Sequence, residues 1–183
     1  MMKREKTVIT LLFFILLGCA LMVGCMGEGG QNTTAVPTPP AFQPDILDKA
    51  IVNPPAGEEG PAPFLFDFDT GNASGFEEVR ADRPGAPTLV LGPNASATLP
   101  IVVSSETDTG TDVRIARTDG LPEGVQVSYT PDSFTLKAGE KARLKMRLSS
   151  SENLTVPTDT AVVVRMEGVG WEVGRGFHLG EAA

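Results

Sequence analysis

Residues 141–148 read Lys-Ala-Arg-Leu-Lys-Met-Arg-Leu, so that Ala142, Leu144, Met146 and Leu148 alternate with Lys141, Arg143, Lys145 and Arg147. Side chains two apart share one face of a strand, and this pattern therefore sets four apolar groups against a core and four cations toward solvent. The same period recurs upstream. Val113 and Ile115 alternate with Asp112 and Arg114, and Val125, Val127 and Tyr129 alternate with Gln126 and Ser128. No comparable 3.6-residue stripe follows residue 64.

Turn chemistry falls between these runs: Asp119-Gly120, Pro122-Glu123-Gly124, Thr130-Pro131-Asp132, Lys137-Ala138-Gly139-Glu140 and Glu167-Gly168-Val169-Gly170. The punctuation predicts strands near 87–91, 96–104, 112–117, 125–129, 133–137, 141–148, 160–166 and 171–179. Short strands at this spacing indicate an all-β, antiparallel sandwich over 64–183, with slightly more strands than an immunoglobulin-like domain requires. Trp171, Val173, Phe177 and Leu179 share one face of the last strand and are expected in the core. Glu172 and His178 fall on the other face, so His178 is expected to be exposed.

The preceding stretch has a different composition. Pro occurs at 37, 39, 40, 44, 54, 55, 61 and 63 amid Gly, Thr, Ala and acids. Too little apolar material is present to bury, and too many backbone donors are missing for a sheet. Residues 25–63 therefore read as a disordered tether, with a short helical turn expected at Ile46–Ile51.

Lys3, Arg4 and Lys6 precede an uncharged run from Thr7 to Gly27, the order of a secretory signal. Residues 1–24 read as a signal peptide that delivers the rest to the outer, extracytoplasmic face of the cell membrane. An uncleaved signal anchor is the alternative, since the run approaches the roughly 20 residues that span a bilayer. Within it, Leu16-Leu17-Gly18-Cys19 and Met22-Val23-Gly24-Cys25 both resemble the lipobox of prokaryotic surface lipoproteins. The resemblance implies a lipid-modified cysteine at the mature N-terminus. Cys25 is the preferred site because cleavage before it removes the whole apolar run. Cys19 is the alternative, Leu16 matching the pattern better than Met22 does.

The series Asn94-Ala-Ser-Ala-Thr-Leu-Pro-Ile-Val-Val, Gly120-Leu-Pro-Glu-Gly-Val-Gln-Val and Phe134-Thr-Leu-Lys-Ala-Gly-Glu-Lys-Ala is similar to the immunoglobulin-like modules of archaeal and bacterial surface proteins and galactosidase-associated domains. That family often carries Pro-x-x-x-x-Gly-x-Tyr before its penultimate strand, where this chain has Pro157-Thr158-Asp159-Thr160-Ala161. Such modules are usually spacers or binding accessories, and the resemblance implies no chemistry.

Composition narrows function further. The 183 residues carry 15 Lys+Arg against 23 Asp+Glu, a formal net charge of −8, with one His and two Cys. An acidic chain is a poor sequence-independent binder of phosphate backbones, so nucleic acid is not an expected partner. One His and two N-terminal Cys leave few sources for a zinc site or a nucleophile–histidine pair.

The remaining candidates are local. Asp69-Thr70-Gly71 matches the aspartic-protease triplet, the basis of a remote hydrolase alternative. Asp67, Asp69, Gly71 and Asn72, with Glu77 and Glu78, could gather oxygen ligands for Ca²⁺, although an acid-rich turn is the default reading. Phe66-x-Phe68-(x)₇-Phe76 resembles the opening strand of some carbohydrate-binding sandwiches. Sequons at Asn32, Asn72, Asn94 and Asn153 are candidate glycosylation sites.

Lys141, Arg143, Lys145 and Arg147, with Arg114 as a fifth candidate, form a cationic stripe. It could grip an acidic glycan, an envelope protein or lipid headgroups, or it could be a solvated face neutralised by cross-strand acids. The expectation is a non-enzymatic, cofactor-free lipoprotein displayed at the cell surface in a structural or binding role. A glycan- or Ca²⁺-binding accessory module is the alternative.

Overall fold

The computed structural model describes residues 47, 49–81, 86–157 and 160–180. The signal segment with Cys19 and Cys25, the sequon at Asn32 and the tether up to 46 lie outside the described residues.

The protein is all-β, as the alternation predicts. Its strands are β1 (Ile51–Asn53), β2 (Phe64–Phe68), β3 (Glu78–Arg80), β4 (Thr88–Val90), β5 (Ser96–Ser105), β6 (Thr111–Asp119), β7 (Val125–Thr130), β8 (Ser133–Leu136), β9 (Lys141–Ser150), β10 (Thr160–Gly168) and β11 (Trp171–Gly180). The larger sheet runs β3-β4-β11-β10-β6-β8, with β1 also paired to β11, and the smaller runs β2-β5-β9-β7. Neighbouring strands are antiparallel except β4 and β11, which run parallel from Thr88↔His178 to Val90↔Gly180.

The two sheets close on one core because each long strand keeps its alternation in register. Across β5 and β9, Ala97 faces Leu148, Leu99 faces Met146 and Ile101 faces Leu144. Opposite them the larger sheet supplies Val162, Val164, Met166, Val173, Phe177 and Leu179, all at 0% exposure. Burying each such side chain contributes about 1.5–3 kcal/mol. Phe68 stands edge-on to both Phe66 and Phe177, with centroids 6.2 and 5.5 Å away, and so joins the sheets through aromatic contact. Trp171 is in the core, as expected. The edge is closed by a hydrogen bond between the hydroxyls of Tyr129 on β7 and Thr118 on β6.

Two expectations are corrected. The stretch read as tether contributes to the body: Leu47 and Ala62 are buried, and Ile51–Asn53 pairs with β11 from Ile51↔Gly174 to Asn53↔Glu172. Of the segment expected as a helical turn, Leu47 lies in a turn and Ile51 opens a strand. The reason is the bareness of β11, where Gly174 and Gly176 present no side chain on the outer face of the larger sheet. Leu47 and Ile51 fill that strip and make a second small cluster with Ala86, Val163 and Ala161.

The second expectation is also reversed, because His178 is only 2% exposed. Its strand is flanked here by β4, and its backbone N–H donates to the Pro87 carbonyl at 2.8 Å. An outward-facing position is therefore not a solvated one.

Connecting loops gather at two ends. Asn94 N–H donates to the Ser151 carbonyl at 3.0 Å and Ser151 N–H to the Gly124 carbonyl at 2.8 Å, which brings the β4–β5, β6–β7 and β9–β10 connections together. At the opposite end the Ser105 N–H reaches the Glu140 carbonyl at 3.0 Å, and Val169-Gly170 turns β10 into β11.

Candidate binding face

The outer surface of the smaller sheet is set by β9. Lys141, Arg143, Lys145 and Arg147 are all exposed, while the alternate Leu144, Met146 and Leu148 are buried. Their neighbours in register are Ser104, Val102, Pro100 and Thr98 on β5. On the other side Ser128 lies beside Arg147 and Thr130 beside Lys145 on β7. Among the described residues no carboxylate lies opposite any of the four in these ladders, so the cross-strand neutralisation weighed from the sequence is confined to Arg143, which Asp69 meets from the β2 side.

Two of the cations are held from below. Arg147 Nε donates to Ser96 Oγ at 2.9 Å, which orients its guanidinium and leaves its terminal nitrogens outward. Arg143 Nη1 lies 3.5 Å from Asp69 Oδ2 at the β2 side. Among the described residues, Lys141 and Lys145 form no ion pair. Arg114 does not extend the stripe: it belongs to β6 in the other sheet and pairs with Glu167 across to β10.

The Asp67–Asn72 segment is tied internally. Asn72 Nδ2 donates to Asp69 Oδ1 and Oδ2 at 3.0 and 2.9 Å, closing the short 3-10 turn Thr70–Asn72, while Asp67 pairs with Arg175 at 3.0 Å. The two carboxylates thus answer different arginines, Arg175 on β11 and Arg143 on β9. Glu78 pairs with Arg80, and its carboxyl is held below the usual carboxylate range chiefly by that hydrogen bond. Among the described residues no three His, Cys, Asp or Glu side chains converge as metal ligands do.

Asn72, Asn94 and Asn153 are all exposed. Asn94 sits at φ 51° in the β4–β5 turn, beside the loop that carries Asn153. Asn72 ends the Thr70–Asn72 turn, two residues before Ser74 bridges Thr98 of β5.

Two features escaped the sequence. Arg165 reaches Asp119 at 2.7 Å and Glu172 at 3.0 Å, while Arg117 reaches Glu172 at 2.7 Å and Asp119 at 3.3 Å, giving a closed ring of alternating charge on the larger sheet. Asn53 Nδ2 donates to the same Glu172 at 3.0 Å and ties β1 to the ring. Beside it lies a shallow cleft of about 530 Å³, lined in part by Asp112, Arg114, Ser133, Thr135, Glu167 and Trp171. Its charges are mutually engaged, Asp112 accepting from Thr135 Oγ1 at 2.6 Å and Arg114 pairing with Glu167. Only residues brought together by strand order reveal either feature.

No protein-family model and no curated protein sequence matches the chain. Among solved structures, it is similar to a FixG-related protein from Vibrio parahaemolyticus, at 14% identity and a TM-score of 0.40, over 65% of this chain and 98% of that one. It is similar also to the periplasmic chaperone SfaE, at 11% identity and a TM-score of 0.39, over 54% of this chain and 56% of that one. Domains 4 and 5 of the S-layer protein SbsC match at 10% identity and a TM-score of 0.31, over 64% of this chain and 77% of that one.

Proposed function

We propose that the protein is a non-enzymatic β-sandwich module, carried on the outer face of the cell membrane by its N-terminal segment, and that it acts there by binding. The outer face of the smaller sheet is its contact surface. The observation that carries this reading is the row Lys141, Arg143, Lys145 and Arg147, which meets hydroxyl and apolar neighbours where neutralising acids were weighed. An acidic protein that concentrates four cations on one strand, of which Arg143 alone meets a carboxylate, keeps a local positive field available to a partner.

Anchoring rests on the basic and apolar order of residues 3–27 and the two Gly-Cys pairs. Intact mass of the membrane-extracted protein tests it: a lipid-modified N-terminal Cys25 is expected, and an unmodified chain starting at Met1 in the cytosolic fraction would overturn it. For the binding role, the double variant Lys141→Glu/Lys145→Glu should lose retention of an envelope component that the parent protein retains.

A further inference from the structure

Resting on that reading of the face, we infer that its occupant is a linear acidic polysaccharide lying along β9. The cations stand in single file. Successive residues on one face of a strand are about 6.6–6.8 Å apart, so the row from Lys141 to Arg147 spans about 20 Å. Flanking rows on β5 and β7 carry no charge opposite it, and the carboxylate that does reach it, Asp69, touches Arg143 from the β2 side. A line of charge matches a chain of regularly spaced anions, whereas a bilayer rewards cations spread over an area together with apolar groups that insert. The large hydrophobics exposed among the described residues are Val52 and Val169, and neither is on this sheet.

Nucleic acid is disfavoured by the same surface. Single strands are held by aromatic platforms on which bases stack, and the rows beside the cations offer no aromatic ring: Thr98, Pro100, Val102 and Ser104 stand on β5, and Ser128 and Thr130 on β7. The only tyrosine of the smaller sheet, Tyr129, turns inward to Thr118. Hydroxyl and amide groups along β7 and at both ends of the β5 row, with Pro100 and Val102 between, suit a polymer that presents hydroxyls and apolar ring faces between its acid groups. Arg147, oriented by Ser96, is pre-set to take one acid group with its two terminal nitrogens.

The test uses the full-length protein in detergent, with polygalacturonate oligomers of increasing length as the carboxylated probe and dextran sulfate as the sulfated one. Affinity should rise with oligomer length until the oligomer covers about 20 Å and then level off. Lys141→Glu/Lys145→Glu should weaken binding at least tenfold and reduce the slope of log affinity against log salt by roughly two. Arg114→Glu, on the other sheet, should leave binding within twofold. Preference between the two polymers assigns carboxylate or sulfate as the acid group.

The inference is overturned if neither polymer binds, if Arg114→Glu weakens binding as much as the double variant does, or if single-stranded DNA of equal charge binds more tightly. Recruitment to phosphatidylglycerol vesicles that falls in the double variant, with no polymer binding, would overturn the saccharide assignment and leave the face as a contact surface. A double variant that changes neither polymer binding, vesicle recruitment nor retention of envelope material would overturn both.

Discussion

Leu47 lies so close over Gly176 that a Cβ built on the glycine would stand 1.9 Å from Leu47 Cδ2 and 3.0 Å from its Cγ. The glycine is the socket for a residue 129 positions earlier in the chain, and Leu47 is fully buried in it.

Removing either half should therefore loosen the start of the body. Leu47→Ala is expected to destabilise by about 2–3 kcal/mol, the lower part of the range for buried leucines, because its cluster is small. Gly176→Ala should cost about 1–3 kcal/mol by overpacking. Urea denaturation of the single and double variants checks the pairing: Gly176→Ala should cost less once Leu47 is alanine, and strict additivity would refute the contact.

Tyr129 is the only tyrosine in the chain, so phenolate absorbance reports one group. Burial pushes its hydroxyl up to about 12, against a smaller lowering by the Thr118 hydrogen bond. Because the folded value is raised above that of the unfolded chain, this contribution to stability is present below pH 10 and is lost as pH rises toward 12. Alkaline titration should show ionisation close to 12 in the folded protein and close to 10 in denaturant. Tyr129→Phe should cost about 0.5–1.5 kcal/mol.

The charge ring on the larger sheet predicts an asymmetry between arginines. Arg165 has 16% of its side chain exposed and contacts two carboxylates, whereas Arg114 has 70% exposed and contacts one. Arg165→Met should destabilise by about 1–3 kcal/mol, because Glu172 keeps its partial burial with one arginine fewer. Arg114→Met should stay within about 0.5 kcal/mol. Thermal melts of the two variants distinguish them.

The β10–β11 turn carries a local conflict. Val169 and Gly170 have φ of 50° and 79°, the left-handed pair that a two-residue hairpin of type I′ requires, yet Val169 is β-branched. It is also 70% exposed, so little packing compensates. Val169→Asn should raise stability by about 1 kcal/mol, read as an increase in the urea midpoint at unchanged slope.

Much of this fold was legible in the sequence, for reasons that particular residues make plain. Each of the eight strands anticipated from residue 87 onward overlaps an observed one, because long strands with one wet and one dry face write their period into the chain. Ile51–Asn53 and Glu78–Arg80 are three residues long, too short for a period, and Pro54 and Pro55 beside the first argued against a sheet. What makes them strands is a partner edge on β11 or β4, which no local window contains. The cation row was legible for the same reason as its strand. Its lack of opposing acids was not, since that depends on β5 and β7 being its neighbours. His178 was misjudged because alternation tells which face a side chain takes and says nothing of what covers that face.

The docking of β1 has a mechanical consequence. Leu47 is seated in the sandwich, and Ile51–Asn53 runs antiparallel to β11, with Ile51 opposite Gly174 and Asn53 opposite Glu172. A pull along that strand from the N-terminal side strains its ladder of hydrogen bonds in shear, all rungs together, and must draw Leu47 out of its seat. Tension applied from the N-terminal side is thus met by a peg and a short clasp, before it reaches the long strands that shape the cationic surface.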